Sequence, residues 1–333
     1  MATILVTGSA GFIGFSVASA LLDARETVIG IDNFNDYYAP ELKQQRDGLL
    51  LGRRNYVSIE MDLVDRQALA ACFQDYRPDT VCHLAAQAGV RYSLRNPYVY
   101  QQSNLEGFIN VIEQARLSAV SRFVYASSSS VYGGNSKMPY SEEDPVNTPV
   151  SLYAATKRSN ELIAHTYTHL WGLQTVGLRF FTVYGPWGRP DMAYWSFLDA
   201  MVNHEPIRVF NYGKNRRDFT YIEDVVPAVV ASLTAQTLDS CEIINLGNNR
   251  PEGLLDFIQT LEELSGSVAV KEMVPAQPGD VVATYADIEK AREKLGFSPG
   301  TSLRTGLERF VDWYFDHPDL IKAVRAHKRS QRR

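Results

Sequence analysis

The chain has 333 residues, 45% of them hydrophobic and 21% charged, a balance that excludes intrinsic disorder and leaves room for two folding units. A formal net charge of −5 gives no bulk attraction to nucleic acid, and no apolar run approaches the roughly 20 residues that cross a bilayer. Cys72, Cys82 and Cys241 fit neither a zinc spacing nor a disulfide framework, and the opening MATILVTG lacks a basic leader, so the expectation is a cytoplasmic protein without a structural metal.

In chain order, ATILVTG (2–8) is a short apolar run closing on glycine, the pattern of a buried strand. IGFSVASALLDA (13–24) places its apolar residues at helical spacing. TVIGIDN (27–33) and YVSIEMDL (56–63) read as strands, ALAACFQDY (68–76) as a helix, and TVCHLAA (80–86) as a strand in which Cys82 is a small core residue. NLEGFINVIEQARLS (104–118) is an amphipathic helix, RFVYASSS (122–129) a strand, the segment after Ser151 a helix, and QTVGLRFFTVYG (174–185) a strand. Strands alternating with helices predict an α/β protein built on a doubly wound parallel (Rossmann) sheet.

After about residue 185 the texture changes. GPWGRPDMAYW (185–195) is loop by its glycines and prolines, and helices follow over 195–204, 254–265 and 303–315, with FTYIEDVVPAVVASL (219–233) and a strand at INLGN (244–248) between them. These segments predict a smaller, interleaved C-terminal α/β domain. The division expected is a nucleotide-binding domain over 1–185, rejoined by about 215–250, a substrate domain mainly over 186–320, and a solvated basic tail over 321–333.

VTGSAGFIG sets Gly8, Gly11 and Gly14 between the first strand and first helix, where backbone N–H groups are free to meet a pyrophosphate. Asp32 ends the second strand about 20 residues on, in place to accept from a ribose 2′-OH. A carboxylate there repels a 2′-phosphate, and Asn33 rather than arginine follows it, so the expected cofactor is NAD and not NADP. SLYAATK (151–157) puts Tyr153 and Lys157 at i and i+4, on one helix face. Taken alone, the heptapeptide fits either a half-buried tyrosine beside a solvated lysine or a catalytic pair in which a cation makes the phenol a usable base.

The Gly-x-x-Gly-x-x-Gly turn, LAAQ (84–87), Asn104 in SNLEG, ASSSSVYG (126–133) and YAATK together resemble the extended short-chain dehydrogenase/reductase family, over essentially the whole chain. The resemblance implies that Phe12, Ile13, Asp62, Leu63, Leu84, Ala85, Ala86, Gln87, Asn104 and Phe181 join the glycines, Asp32 and Asn33 around NAD. It implies that Tyr153 is the proton-transfer base, that Lys157 lowers its pKa and holds the nicotinamide ribose, and that Ser128, with Ser130 second, supplies the hydroxyl beside the substrate oxygen. Relatives that dehydrate sugars carry an Asp-Glu pair where Ser129 and Ser130 stand here, and non-catalytic relatives lose the Tyr or the Lys.

Within the family, DNFNDYYAPELKQQR, AAQAGVRYSLRNP and RFFTVYGPWGRPDMA are similar to the UDP-glucuronate 4-epimerases. That resemblance implies reversible conversion of UDP-glucuronate to UDP-galacturonate through a 4-keto sugar. It implies Arg189 and Thr182 at the C6 carboxylate, Arg217 at the diphosphate, and Gln277 and Asp280 at the nucleotide ribose. A 4-keto uronate is a β-keto acid prone to lose CO2, and a two-bond arginine grip stabilises the carboxylate charge against that loss. A surface pairing of Arg217 with Asp218 is the plain alternative for that arginine. Epimerisation of neutral UDP-hexoses, UDP-glucuronate decarboxylation and non-catalytic nucleotide sensing are the competing functions. Family analogy adds a homodimer packed through residues 104–117 and 151–170.

Overall fold

The computed structural model describes residues 1–276 and 281–331. In the first half, β1 (Thr3–Thr7), α1 (Phe12–Asp23), β2 (Thr27–Asp32), α2 (Pro40–Leu51), β3 (Tyr56–Glu60), α3 (Arg66–Tyr76) and β4 (Thr80–His83) alternate. A short helix, α4 (Pro97–Tyr100), runs through a π-turn (Gln101–Glu106) into α5 (Gly107–Leu117). Then come β5 (Arg122–Ser128), α6 (Leu152–Trp171), β6 (Gln174–Phe180) and β7 (Thr182–Tyr184). The remainder is α7 (Ala193–Val202), β8 (Ile207–Val209), β9 (Arg216–Tyr221), α8 (Ile222–Thr234), β10 (Cys241–Leu246), β11 (Pro251–Gly253), α9 (Leu254–Ser265), β12 (Lys271–Met273), α10 (Glu289–Leu295), α11 (Leu303–Asp316) and α12 (Pro318–Ser330).

Seven strands form one parallel sheet in the order β10-β6-β5-β4-β1-β2-β3. This is the doubly wound α/β sheet that the alternation predicts. Its strands are apolar on both sides because helices cover both faces. β1 sends Ile4 and Val6 into one core and Leu5 into the other. Cys82 joins the first core, as a small buried residue. The strand order reverses between β1 and β4, which opens a crevice at their carboxyl ends.

Two small sheets lie beyond it. β9 is flanked by β7, parallel, and β11, antiparallel, while β8 pairs with β12. β10 lies in the large sheet beside β6, whereas β9 belongs to the small one.

Residues 318–330 are not a solvated tail. They form α12, which buries Leu320, Ile321 and Val324 at helical spacing, and its Arg325 Nε donates to Asp199 Oδ1 at 3.0 Å. The apolar stripe is narrow and set among cations, which masks it in the sequence. α2 likewise has no continuous apolar face: it buries Lys43, Arg46 and Asp47 beside Leu42 and Leu50. Among the described residues, no helix is long and apolar enough to cross a membrane, and no group of three or more His, Cys, Asp or Glu side chains is placed to hold a metal ion.

Candidate active site

The crevice floor is the β1–α1 turn. Gly8 has φ +72°, and a Cβ there would sit 2.8 Å from the Ala85 nitrogen, while one on Gly14 would sit 2.0 Å from the Gly8 oxygen. Only glycine lets the turn pass this close to the β4 end. α1 begins at Gly11 with no side-chain cap, so its first amides are left for a ligand. Asp32 is buried at the tip of β2, where Oδ2 accepts from the Ala10 amide at 3.2 Å and Oδ1 from the Phe34 amide at 2.9 Å. A tight glycine cradle with uncapped amides, facing a carboxylate, fits a dinucleotide.

The crevice lining holds Gly8, Gly11, Phe12, Ile13, Gly14, Asp32, Asn33, Asp62, Leu63, Leu84, Ala85, Ala86, Gln87 and Phe181 from the expected cofactor set. Asn104 is absent from the lining. It is buried behind it, where Nδ2 donates to the Gln87 oxygen at 3.0 Å and Oδ1 accepts from the Gln87 amide at 2.8 Å. It therefore shapes the LAAQ segment.

One lining residue that sequence reasoning missed is Lys43, whose Nζ lies 3.8 Å from Asp32 Oδ1 and donates to Asn35 Oδ1 at 3.0 Å. Its signal was a lysine in DNFNDYYAPELK, 11 residues past Asp32, and only the fold of α2 brings it back.

Tyr153 and Lys157 stand on the first turns of α6, which Ser151 caps by accepting from the Ala154 amide at 3.1 Å. Both line the crevice with Ser128 and Arg189. Lys157 Nζ donates to the Ala126 carbonyl at 2.9 Å, and burial pulls its pKa down to about 8. Burial also raises the Tyr153 pKa, while the nearby Ser128 hydroxyl and the charge of Arg189 act in the opposite direction, favouring the phenolate. Behind Lys157, His83 bonds Thr7 Oγ1 at 2.8 Å and is held neutral, its pKa lowered to about 3 by burial and by the Lys157 charge.

The residue before Ser128 on β5, Ser127, belongs to a buried network. The Ser127 hydroxyl donates to Glu161 Oε1 at 2.6 Å, and Arg179 grips Glu161 through two bonds of 2.8 and 3.0 Å. Ser130 stands outside the crevice lining, and its amide donates to Ser128 Oγ at 3.2 Å. Of the two serines, Ser128 is the one in reach of Tyr153.

The 185–192 loop brings Arg189 to the crevice, and Arg189 donates to Asp191 through Nε at 3.0 Å and Nη2 at 2.6 Å. The loop is anchored by Arg46, whose guanidinium donates to the Ala10, Trp187 and Gly188 carbonyl oxygens. Thr182 lies on β7 opposite Phe219, outside the crevice lining. Arg217, on β9, donates to the main-chain oxygens of Arg216 and Val282 at 2.9 and 3.2 Å. Its neighbour Asp218 is fully buried and accepts from the Asn249 and Ala286 amides at 3.1 and 3.0 Å, so that carboxylate is spent inside the fold. Gln277 and Asp280 lie outside the described residues.

The chain is similar to known proteins over most of its length. The sequence model for the NAD dependent epimerase/dehydratase family matches residues 4–247. A probable UDP-glucuronate 4-epimerase of Rhizobium meliloti is 42% identical over 327 residues, spanning 93% of this chain and 96% of that one. A solved UDP-glucuronic acid 4-epimerase from Bacillus cereus, in complex with UDP-glucuronic acid and NAD, matches with a TM-score of 0.88 at 36% identity, over 94% of this chain and 99% of that one. A UDP-glucose 4-epimerase from Thermotoga maritima, with UDP-glucose, gives 0.85 at 31% identity over 94% and 99%. The glycine turn, the Tyr-Lys pair and these matches together place the chain in the NAD dependent epimerase/dehydratase family.

Proposed function

We propose that this protein is an NAD-dependent epimerase that interconverts UDP-glucuronate and UDP-galacturonate at C4. The observation that carries the reading is the convergence of Ser128, Tyr153 and Arg189 on one crevice beside the glycine turn. It is supported by the identity with UDP-glucuronate 4-epimerases over nearly the whole chain. The glycine turn, Asp32 and Lys157 would hold NAD, which would supply reversible hydride acceptance for C4 of the sugar.

The residues divide the remaining tasks. Tyr153 takes the proton from the 4-OH at its phenolic oxygen and returns it to O4 after the sugar has turned its other face. Ser128 bonds the same oxygen and holds it within reach of Tyr153. Lys157, braced on the Ala126 carbonyl, holds the nicotinamide ribose. The glycine amides and Asp32 hold the pyrophosphate and the adenosine ribose, and Asp62 and Leu63 flank the adenine. Arg189 binds the C6 carboxylate, with Thr182 as a neutral donor nearby, and stabilises it against loss of CO2. Arg217 meets the diphosphate, and Gln277 and Asp280 the uridine ribose.

In this reading residues 1–185, with β10 returning to them, form the nucleotide domain, and most of 186–320 serves the sugar nucleotide. The protein works in the cytoplasm as a homodimer joined through α5 and α6. Exposed Ile109, Leu117, Leu162, Leu170 and Trp171 on those helices support that surface.

The test is to incubate purified protein, with no NAD added, with UDP-glucuronate and follow the sugar nucleotides by NMR. UDP-galacturonate is the expected product. A UDP-pentose with CO2 makes the protein a decarboxylase, and preferential turnover of UDP-glucose makes it a neutral-hexose epimerase.

A further inference from the structure

Arg189 enters the proposed function as the reader of the C6 carboxylate, yet a guanidinium on a loop has several free torsions and binds poorly unless something fixes it. Asp191 takes the Nε edge of Arg189 side-on, with bonds of 3.0 Å from Nε and 2.6 Å from Nη2. Asp191 is in turn fixed by Tyr37, whose hydroxyl donates to Oδ2 at 3.1 Å. Arg189 and Tyr37 both line the crevice, and Asp191 does not. Asp191, an exposed residue outside that lining, therefore occupies one edge of the guanidinium. Arginine carries five N–H donors, so two bonds to Asp191 leave the Nη1 group and one Nη2 hydrogen on the other edge.

The brace is itself anchored. The Tyr37 amide donates to Asn35 Oδ1 at 3.2 Å, and its ring packs on Tyr92 with centroids 5.0 Å apart. The Asp36 carbonyl beside it accepts from His327 and Gln331, at 3.1 and 2.6 Å. Burial and the Asp191 charge raise the Tyr37 pKa far above the usual phenol value, so Tyr37 stays a donor at any working pH. At the loop end, the Arg189 amide donates to the Tyr194 hydroxyl at 2.8 Å.

We propose that Asp191, braced by Tyr37, is a positioning residue that holds Arg189 as a pre-set reader of the substrate carboxylate and so sets selectivity for uronates over neutral hexoses. The proposal rests on the uronate reading of the site. It differs from that reading in what it demands: Asp191 helps the substrate carboxylate bind, although it carries the same charge. A simple electrostatic view gives the opposite sign, since a second carboxylate at one guanidinium repels the first. The side-on geometry decides between them, because ordering a long side chain beforehand removes that cost from binding.

The experiment titrates the protein as purified, with its retained NAD, against UDP-glucuronate and against UDP, which has no sugar carboxylate. The variants are Asp191→Asn, Asp191→Ala and Tyr37→Phe, with kcat and KM measured alongside. In both Asp191 variants the affinity for UDP-glucuronate is expected to fall roughly tenfold, the scale of immobilising one arginine. Tyr37→Phe gives a smaller loss, UDP affinity is unchanged in all three, and KM moves more than kcat. Unchanged or tighter UDP-glucuronate binding in Asp191→Asn overturns the proposal, because Asp191 then competes with the substrate. Equal losses for UDP and UDP-glucuronate overturn it too, since they report a general structural defect. Wild-type protein that binds UDP-glucose better than UDP-glucuronate sinks the uronate reading itself, before any variant is made.

Discussion

The Arg46 Nη2 donates to the Gly188 carbonyl at 2.8 Å, across 142 residues of sequence. That one bond joins a helix of the nucleotide half to the loop that carries Arg189. The same guanidinium holds the Ala10 carbonyl at 2.9 Å, so the glycine turn and the sugar loop share a single mount.

Arg46→Met leaves the Ala10, Trp187 and Gly188 carbonyls without their donor in a buried place. Each costs on the order of 1–3 kcal/mol, so a loss of at least about 3 kcal/mol is expected in urea unfolding. Arg46→Lys rescues little, because one ammonium cannot span three acceptors as the planar fork does. A urea midpoint within error of wild type for either variant contradicts the shared mount.

Tyr153→Phe removes the proton acceptor and leaves the ring in place. Turnover of UDP-glucuronate is expected to fall by roughly 10²–10⁴, with sugar-nucleotide binding retained. Ser128→Ala costs less, and Ser130→Ala leaves turnover near wild type, because Ser130 stands outside the crevice lining and the bonds it makes to Ser128 and Gly133 are through its main chain. Steady-state kinetics of the three variants check the order, and a Ser130→Ala defect larger than that of Ser128→Ala reverses the assignment.

Asp32→Ala removes the acceptor placed for the ribose hydroxyl. Losing a charge-assisted bond of about 1.5–3 kcal/mol weakens NAD by roughly 10- to 100-fold. Lys43, 3.8 Å from the Asp32 carboxylate, loses that counter-charge in the variant, keeps its bond to Asn35, and can turn to a 2′-phosphate. Titration of NAD-free protein is therefore expected to show the NADP-to-NAD affinity ratio rising. No rise in that ratio means Lys43 does not reach the 2′ position.

Burial raises the Asp218 pKa from 3.8 to about 6, with the Ala286, Asn248 and Asn249 amides opposing the shift. The folded protein thus keeps a proton on Asp218 over a range where the unfolded chain has lost it. This contribution to stability is complete below pH 3.8 and disappears as pH climbs through about 6. Its size is roughly 3 kcal/mol for a shift of about two pH units. Asp218→Asn has no such proton, so the stability difference between variant and wild type is expected to change between pH 4 and 6.5. Urea unfolding at those two values measures it, and a constant difference means the Asp218 pKa is ordinary.

The parts of the site that were legible in the sequence are local. Gly8, Gly11 and Gly14 declare themselves by spacing after an apolar strand, and Tyr153 and Lys157 by sharing one turn and a half of helix. Ser128 and Ser130 are two apart and chemically identical, so the choice between them waited for the backbone to aim one into the crevice. Arg46 was illegible for a different reason. Its partners lie at Ala10, Trp187 and Gly188, and they are carbonyl oxygens, which every residue has. Lys43 went unread because only the fold of α2 brings it back to Asp32 and Asn35. Arg217 and Asp218 are adjacent in sequence and opposite in direction, as successive residues of a strand must be. α12 hid its apolar stripe of Leu320, Ile321 and Val324 among cations.

The hold of α12 on the Asp36 carbonyl has a consequence in time. Gln331 lies 295 residues beyond Asp36. At about 5–20 residues per second on the ribosome, the loop carrying Tyr37 waits roughly 15 to 60 s for the helix that fastens it. The glycine turn and its strands are complete long before then. The residues of the glycine turn are therefore synthesised well before the helix that fastens the Tyr37 loop, so the sugar side of the crevice is the last part to be secured.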